Sequence, residues 1–177
     1  MTQTATAPAT IRETYAQMRA RHQGEVDAFP MRFAFSRRQF DEVCRELRVT
    51  DPAAELYRIP GGGFIRKTDS DAFHKMFERH DREQNEAMRD FDFAVGAFRY
   101  ELANHEYCVT HDPDDALRAL GYEAKTVKQP WDRGDGVVIE FDVFSANATF
   151  GGDEMLARAF CKAVREYSAE AERKGWC

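Results

Sequence analysis

The stretch ELANHEYCVTHDPDDALRALG, residues 101–121, contains the end of one helical pattern and the start of another. Within it His105, Cys108 and His111 recur every three residues, and Glu101 lies one helical turn before His105. On one continuous helix, residues three or four apart are surface neighbours, and these four side chains would be able to hold a metal ion such as zinc. The spacing therefore raises the hypothesis of a metal-dependent enzyme or a metal-stabilised domain.

The middle of the same stretch argues against a continuous helix. Threonine and aspartate are favoured helix caps, and a residue before proline avoids the helical conformation, so THDP at 110–113 predicts a new helix start. His105 also falls on an apolar stripe, seven residues after Phe98, where a buried and hydrogen-bonded side chain is the usual occupant. We therefore predict a junction between two helices, with His105 paired to Glu101 or to the loop at 110–112. The metal site is the alternative.

Apolar spacing predicts helices on both sides of this junction. Upstream, a stripe of apolar residues runs from Phe73 to His105, and DFD at 90–92 together with Gly96 predicts a break into two consecutive helices. Downstream, a shorter helix ends at Gly121, a residue type that commonly follows the last helical turn.

The remaining elements complete a helix-rich pattern. Ser36 and Gln39 form a capping box, and two β-rich runs around three glycines predict a hairpin near 56–67. Alternating apolar residues predict a strand near 137–144, and Asp153 caps a final helix. The order of elements predicts a helix-dominated, single-domain α+β fold.

Composition and turn residues divide the chain into four predicted segments. Residues 1–10 are typical of a disordered tail, and residues 11–121 form a helical core that includes the hairpin. Proline and glycine mark residues 122–136 as a linker. Residues 137–177 then supply a strand and a C-terminal helix packed on the core.

Length and composition indicate a folded protein. The 177 residues are 43% apolar and 32% charged, and fourteen phenylalanines predict a core of large rings. No run is typical of a signal peptide or a membrane span, so we predict a cytoplasmic location. The four cysteines lack paired spacing and are expected to be free thiols in a reducing compartment.

The charge is acidic and unevenly distributed. A net charge of −6 disfavours direct nucleic-acid binding, which usually requires a basic face. Residues 81–115 carry ten acids against three arginines, a local balance of −7. A solvated helix face is the usual explanation of such a run, and a partner-binding acidic surface is the functional one. The residues predicted for that surface are Asp81, Glu83, Glu86, Asp90, Asp92, Glu106, Asp114 and Asp115.

Known catalytic and cofactor motifs are not apparent in the sequence. GGGFIRKT at 61–68 imitates a phosphate-binding P-loop, but Arg66 stands where the motif requires a glycine before the lysine. There is no nucleophile elbow and no HExxH. We therefore predict no cofactor and no catalytic residue, and we favour a protein that is not an enzyme.

Several phrases of the sequence together resemble a family of uncharacterised small bacterial proteins that occur on phages, plasmids and conjugative elements. The resemblance covers about residues 31–121 and rests on FAFS at 33–36 with QF at 39–40, GGGFIRK at 61–67, HKMFE at 74–78 and YELANHEY at 100–107. It implies a setting and supplies no reaction, ligand or site residue. Accessory proteins of mobile elements often act by binding host or defence proteins.

These observations lead to one functional hypothesis. The chain is expected to be a non-catalytic, protein-binding accessory factor of a mobile element, for example an anti-CRISPR-like inhibitor that acts through its acidic helical surface. The expected partner is a host or defence protein, including a nucleic-acid-binding effector, with no membrane contact. A homodimer in which phenylalanine-rich stripes meet is a further hypothesis.

Overall fold

The computed structural model describes residues 12–132 and 138–176, and its helix-dominated α+β class confirms the prediction. In chain order its elements are α1 (Tyr15–Ala28), β1 (Arg32–Phe33), α2 (Arg37–Glu46), α3 (Pro52–Glu55), β2 (Leu56–Ile59), β3 (Gly63–Arg66), α4 (Ser70–Ala87), α5 (Phe91–Asn104), α6 (Tyr107–Thr110), α7 (Asp114–Ala119), β4 (Thr126–Asp132), β5 (Val138–Phe144), α8 (Ala146–Thr149) and α9 (Glu154–Lys174). They form two compact units: a first unit of Met1–Met18 and Glu86–Cys177, and a second unit of Arg19–Asn85.

The second unit contains the predicted hairpin. Strands β2 and β3 pair antiparallel from Leu56 opposite Arg66 to Ile59 opposite Gly63, and β1 adds a third strand beside β3. The turn between β2 and β3 requires glycine, because Gly61 has φ of 74°. A small apolar core lies beside this sheet and consists of Val43, Leu47, Val49 and Leu56.

The core of the first unit is built from rings on α5 and α9. Phe98 of α5 is 1% exposed, and its ring centroid lies 5.3 Å from that of Phe160 on α9 and 5.4 Å from that of Phe150. Alanines allow the two helices to approach closely, since Ala97, Ala159 and Ala163 are fully buried. Burial of each large ring contributes roughly 2–3 kcal/mol.

Part of the region predicted as a linker is a strand. Residues 122–136 include β4, which pairs antiparallel with β5 from Thr126 opposite Phe144 to Asp132 opposite Val138. The sequence hides this strand because Pro130 breaks its pattern, although an edge strand tolerates proline. The predicted strand near 137–144 is confirmed as β5. The division into four segments stays a prediction, and residues 1–10 and 133–136 lie outside the described residues.

In residues 12–132 and 138–176, none of the helices is long and apolar enough to cross a bilayer.

Candidate functional site

The stretch at residues 101–121 forms the predicted junction. Helix α5 ends at Asn104, and His105 follows as its C-cap. Glu106 and His111 then adopt left-handed backbone conformations, with φ of 52° and 54°, on either side of the single turn α6. Because each left-handed residue redirects the chain, the three-residue spacing of the histidines and cysteine has no helical meaning here.

A buried carboxyl group lies at the centre of this junction. Glu101 is fully buried, and the Tyr15 hydroxyl of α1 donates a hydrogen bond to its Oε1 over 2.6 Å. The Asn104 amide donates to Glu101 Oε2 over 3.2 Å, and His105 Nε2 lies 3.5 Å from the same atom. The expected Glu101–His105 pair is therefore present, but the His105 side chain is 31% exposed rather than enclosed in the core.

The alternative metal site at Glu101, His105, Cys108 and His111 is not assembled. The Cys108 thiol faces the Trp176 carbonyl oxygen, with 3.8 Å between sulfur and oxygen. The His111 ring lies edge-on to the Tyr107 ring. Within the part of the chain that the structure describes, no three or more His, Cys, Asp or Glu side chains are grouped to hold a metal ion. The prediction required one continuous helix, and the two left-handed residues remove it.

The glycine-rich loop is a hairpin turn rather than a phosphate cradle. It joins the antiparallel strands β2 and β3 instead of following a strand and opening a helix, as a P-loop does. Lys67 donates from Nζ to the Ala53 carbonyl oxygen over 2.9 Å, so its ammonium group contacts the protein's own backbone.

The eight residues predicted to form an acidic surface are divided between the two units. Asp81 and Glu83 belong to the second unit, and the other six belong to the first. Four of the eight form ion pairs with arginines of the same unit: Glu83 with Arg21, Glu86 with Arg89, Asp90 with Arg12 and Asp115 with Arg118. Burial, followed by the neighbouring charge of Asp112, raises the pKa of Asp114. Their role in partner binding stays a prediction.

A histidine pair in the second unit was not predicted. The rings of His22 on α1 and His80 on α4 stack at 3.8 Å, with 11° between their planes. His80 Nε2 lies 2.8 Å from Glu25, and His22 Nε2 lies 2.9 Å from Glu83. Hydrogen bonds from His22 and then Arg21 lower the pKa of Glu83 to about 2. The sequence signal that could have indicated this pair is the position of each histidine on an apolar helical stripe. Only tertiary contact brings the two histidines together.

An acidic groove lies in the first unit, where the start of α1 meets α5. It encloses about 580 Å³, and its apolar lining includes Tyr15, Met18 and Phe93. These side chains form a floor that an apolar group of a ligand can contact. The size lies within the range of ordinary ligand sites.

Carboxylates dominate the polar lining of the acidic groove. Among the residues described by the structure, four acids line it, namely Glu13, Glu86, Asp90 and Asp92, against the single cation Arg12. Asp90 caps α5 by accepting a hydrogen bond from the Phe93 backbone N–H over 3.0 Å, and it also pairs with Arg12. The Phe93 hydrogen bond is the main cause that lowers the pKa of Asp90. Three of the eight predicted acidic residues therefore meet in one groove, and Glu13 was missed because it lies far away in sequence.

Comparisons with known proteins give a family and no function. The model of the family of unknown function DUF7659 matches residues 14–133, more than half of the chain. No curated protein and no solved structure matches the chain.

Proposed function

We propose that this chain, which belongs to the DUF7659 family of unknown function, is a non-catalytic protein-binding factor whose acidic groove holds a basic segment of another protein. The carrying observation is the groove itself, which combines four acids with an apolar floor. An apolar floor supplies burial energy, and surrounding charge of one sign selects a partner of the opposite sign.

The exposed rim of the acidic groove supports this function. Asp92 is exposed at the first turn of α5, and Glu86 is exposed at the end of α4. Among the described residues, Glu86 forms its ion pair with the exposed Arg89, and exposed pairs of this kind contribute little to stability. Both carboxylates can therefore turn to a partner's lysine or arginine at small cost.

The floor supports an apolar anchor beside that cation. Tyr15 and Met18 are buried, and the rings of Tyr15 and Phe93 meet at a steep angle with 6.0 Å between their centroids. A rigid aromatic floor of this kind loses little conformational entropy on binding. The matching partner segment has lysine or arginine next to a leucine, methionine or aromatic residue.

In the most specific form of this proposal, the protein is a cytoplasmic accessory factor of a bacterial mobile element, and it inhibits a host defence protein. A nucleic-acid-binding effector is a suitable partner, because its channel is basic where it contacts phosphates. An acidic groove on an inhibitor would compete for the same cations. This form rests on the sequence resemblance together with the charge of the groove.

Selection of random displayed peptides on the immobilised full-length protein tests the proposal. We expect enriched peptides that combine lysine or arginine with an apolar residue, and affinities that decrease as salt is added. The double variant Glu86→Gln with Asp92→Asn is expected to weaken these peptides about tenfold, equivalent to ~1.4 kcal/mol, measured by fluorescence anisotropy. In a bacterium with an active CRISPR system, the specific form also predicts that phage plaquing increases with the wild type and not with this variant.

The matched control removes the same two charge types from the second unit. Glu78→Gln with Asp71→Asn changes exposed positions of α4 that do not line the acidic groove and are not among the eight residues predicted for the acidic surface. We expect no change in affinity from this control. Equal weakening by both double variants would mean that net charge, not the groove, governs binding, and enrichment of no basic peptide would reject the proposal.

A further inference from the structure

A second groove in the first unit has the opposite charge. It encloses about 770 Å³ beside α9, and its cationic lining consists of Arg158, Lys162 and Arg165, with His111 nearby. Among the residues that the structure describes, no carboxylate lines this basic groove. A concave surface whose described lining has three cations and no acid is unexpected in a chain whose net charge is −6.

The floor of the basic groove is aromatic. Phe160 is buried beneath it, Phe144 is 36% exposed, and Phe91 of α5 forms one side. Lys162 Nζ lies 5.2 Å and Arg158 Cζ lies 6.0 Å from the centroid of the Phe91 ring. These cation–π contacts hold both side chains over the floor without neutralising their charge.

The cations of this groove are only slightly compensated by the protein itself. Lys162 has Glu166 at 3.8 Å, but that carboxylate also accepts a hydrogen bond from Arg99 over 3.2 Å. In the described ranges, neither Arg158 nor Arg165 forms an ion pair with a carboxylate. Arg158 and Lys162 are four residues apart on α9, where like charges repel each other and destabilise a helix. Ion pairing within the protein therefore does not account for this arrangement.

We infer that the basic groove binds an acidic segment of a partner protein that carries an apolar anchor residue. The anchor contacts Phe144 and Phe160, and two carboxylates of the segment accept hydrogen bonds from Arg158 and Arg165. Planar guanidinium groups suit this task because they hold a carboxylate through two parallel hydrogen bonds. The inference goes beyond the proposed function, since it concerns another groove and a partner segment of opposite charge.

The same selection of random peptides on the full-length protein provides the probe. We expect a second enriched class, with glutamate or aspartate beside a leucine or an aromatic residue. Its affinity should decrease at least about tenfold in Arg158→Glu and in Arg165→Glu, measured by fluorescence anisotropy. Both arginines are exposed, so circular dichroism and thermal unfolding should show unchanged folding, and Arg165→Gln provides a milder variant if the charge reversal disturbs α9.

Arg173→Glu is the matched control, because it reverses one exposed charge on the same helix outside the groove. It should leave the affinity of acidic peptides unchanged. Equal weakening by Arg173→Glu, or the absence of an acidic class, would overturn the inference. Light scattering tests whether a second copy of the chain occupies the basic groove. A wild-type dimer that becomes a monomer in Arg165→Glu would show that it does. Loss of the acidic class with retention of the basic class would leave the proposed function intact.

Discussion

The two grooves of the first unit have similar aromatic floors and opposite charges. Helix α5 contributes to both: Phe91 lines the basic groove, while Asp92 and Phe93 line the acidic one. Successive residues of a helix point about 100° apart, so neighbours in sequence face different surroundings. The net charge of the whole chain, −6, therefore does not indicate the local charge of either groove. What a partner meets depends on which side of α5 it approaches.

The largest expected effect comes from removing the ring that supports α5 against α9. Phe98→Ala should reduce the free energy of unfolding by about 3–5 kcal/mol, because it leaves a cavity in a fully packed core. Both classes of peptide should then bind only to the fraction of the protein that remains folded. Urea unfolding measures the loss.

Phe35→Ala is the control for this substitution, since Phe35 is 77% exposed and its loss should change stability by no more than about 0.5 kcal/mol. Equal destabilisation by the two alanine substitutions would contradict the core assignment.

A smaller and more selective effect is expected from Tyr15→Phe. The substitution removes only the hydroxyl that donates to buried Glu101, and loss of one partner of a buried polar group costs about 1–3 kcal/mol. Because Tyr15 lines the acidic groove and not the basic one, basic peptides should weaken more than acidic peptides. Thermal unfolding and anisotropy measure the two consequences.

Tyr57→Phe is the control, because it removes a hydroxyl from a half-exposed position of β2. It should change neither the thermal stability nor the affinity for either class of peptide. If acidic peptides weakened as much as basic ones in Tyr15→Phe, the two grooves would not respond independently.

The smallest expected effect is a difference in pH response between the grooves. The folded-state pKa of Asp90 lies below its ordinary value of 3.8, mainly because of the Phe93 backbone hydrogen bond. The ionised side chain therefore stabilises the fold fully above pH 3.8, and this contribution is lost as the pH falls through the lower folded-state pKa. Asp90→Asn keeps the cap but removes the charge. Its stability deficit relative to wild type should shrink as the pH is lowered below 3.8.

Arg165→Gln supplies the comparison for the basic groove. Arginine keeps its charge throughout this pH range, so the difference between this variant and wild type should be independent of pH. Acid titration followed by circular dichroism measures both series. A deficit of Asp90→Asn that stays constant below pH 3.8 would contradict the assigned pKa shift.

Local features of the fold could be predicted from the sequence because they depend on neighbouring residues. Ser36 caps α2 by accepting a hydrogen bond from the Gln39 backbone N–H, as its spacing from Gln39 indicates. The hairpin near 56–67 and the junction in residues 101–121 follow in the same way from glycine and from threonine, aspartate and proline. Strand β4 was missed because only pairing with β5 reveals it.

The candidate site could be predicted only in part. Glu86, Asp90 and Asp92 were identified by their local charge, but Glu13 joins them only through the fold. The basic groove was missed entirely, since Phe91, Phe144 and Arg158 are far apart in sequence, and a window average of charge cannot detect them. The metal hypothesis has the converse weakness, because it assumed a continuous helix that the local backbone does not form.

The sequence by itself determined the helix caps, the hairpin, the junction after α5 and the excess of acid in residues 81–115. Each depends on interactions within a few residues, which the order of side chains fixes directly. Only the tertiary structure decided that Tyr15 meets Glu101, that His22 stacks on His80, and that one acidic and one basic groove lie beside α5. These depend on contacts between distant segments, whose geometry is fixed by the packing of the core rather than by spacing along the chain.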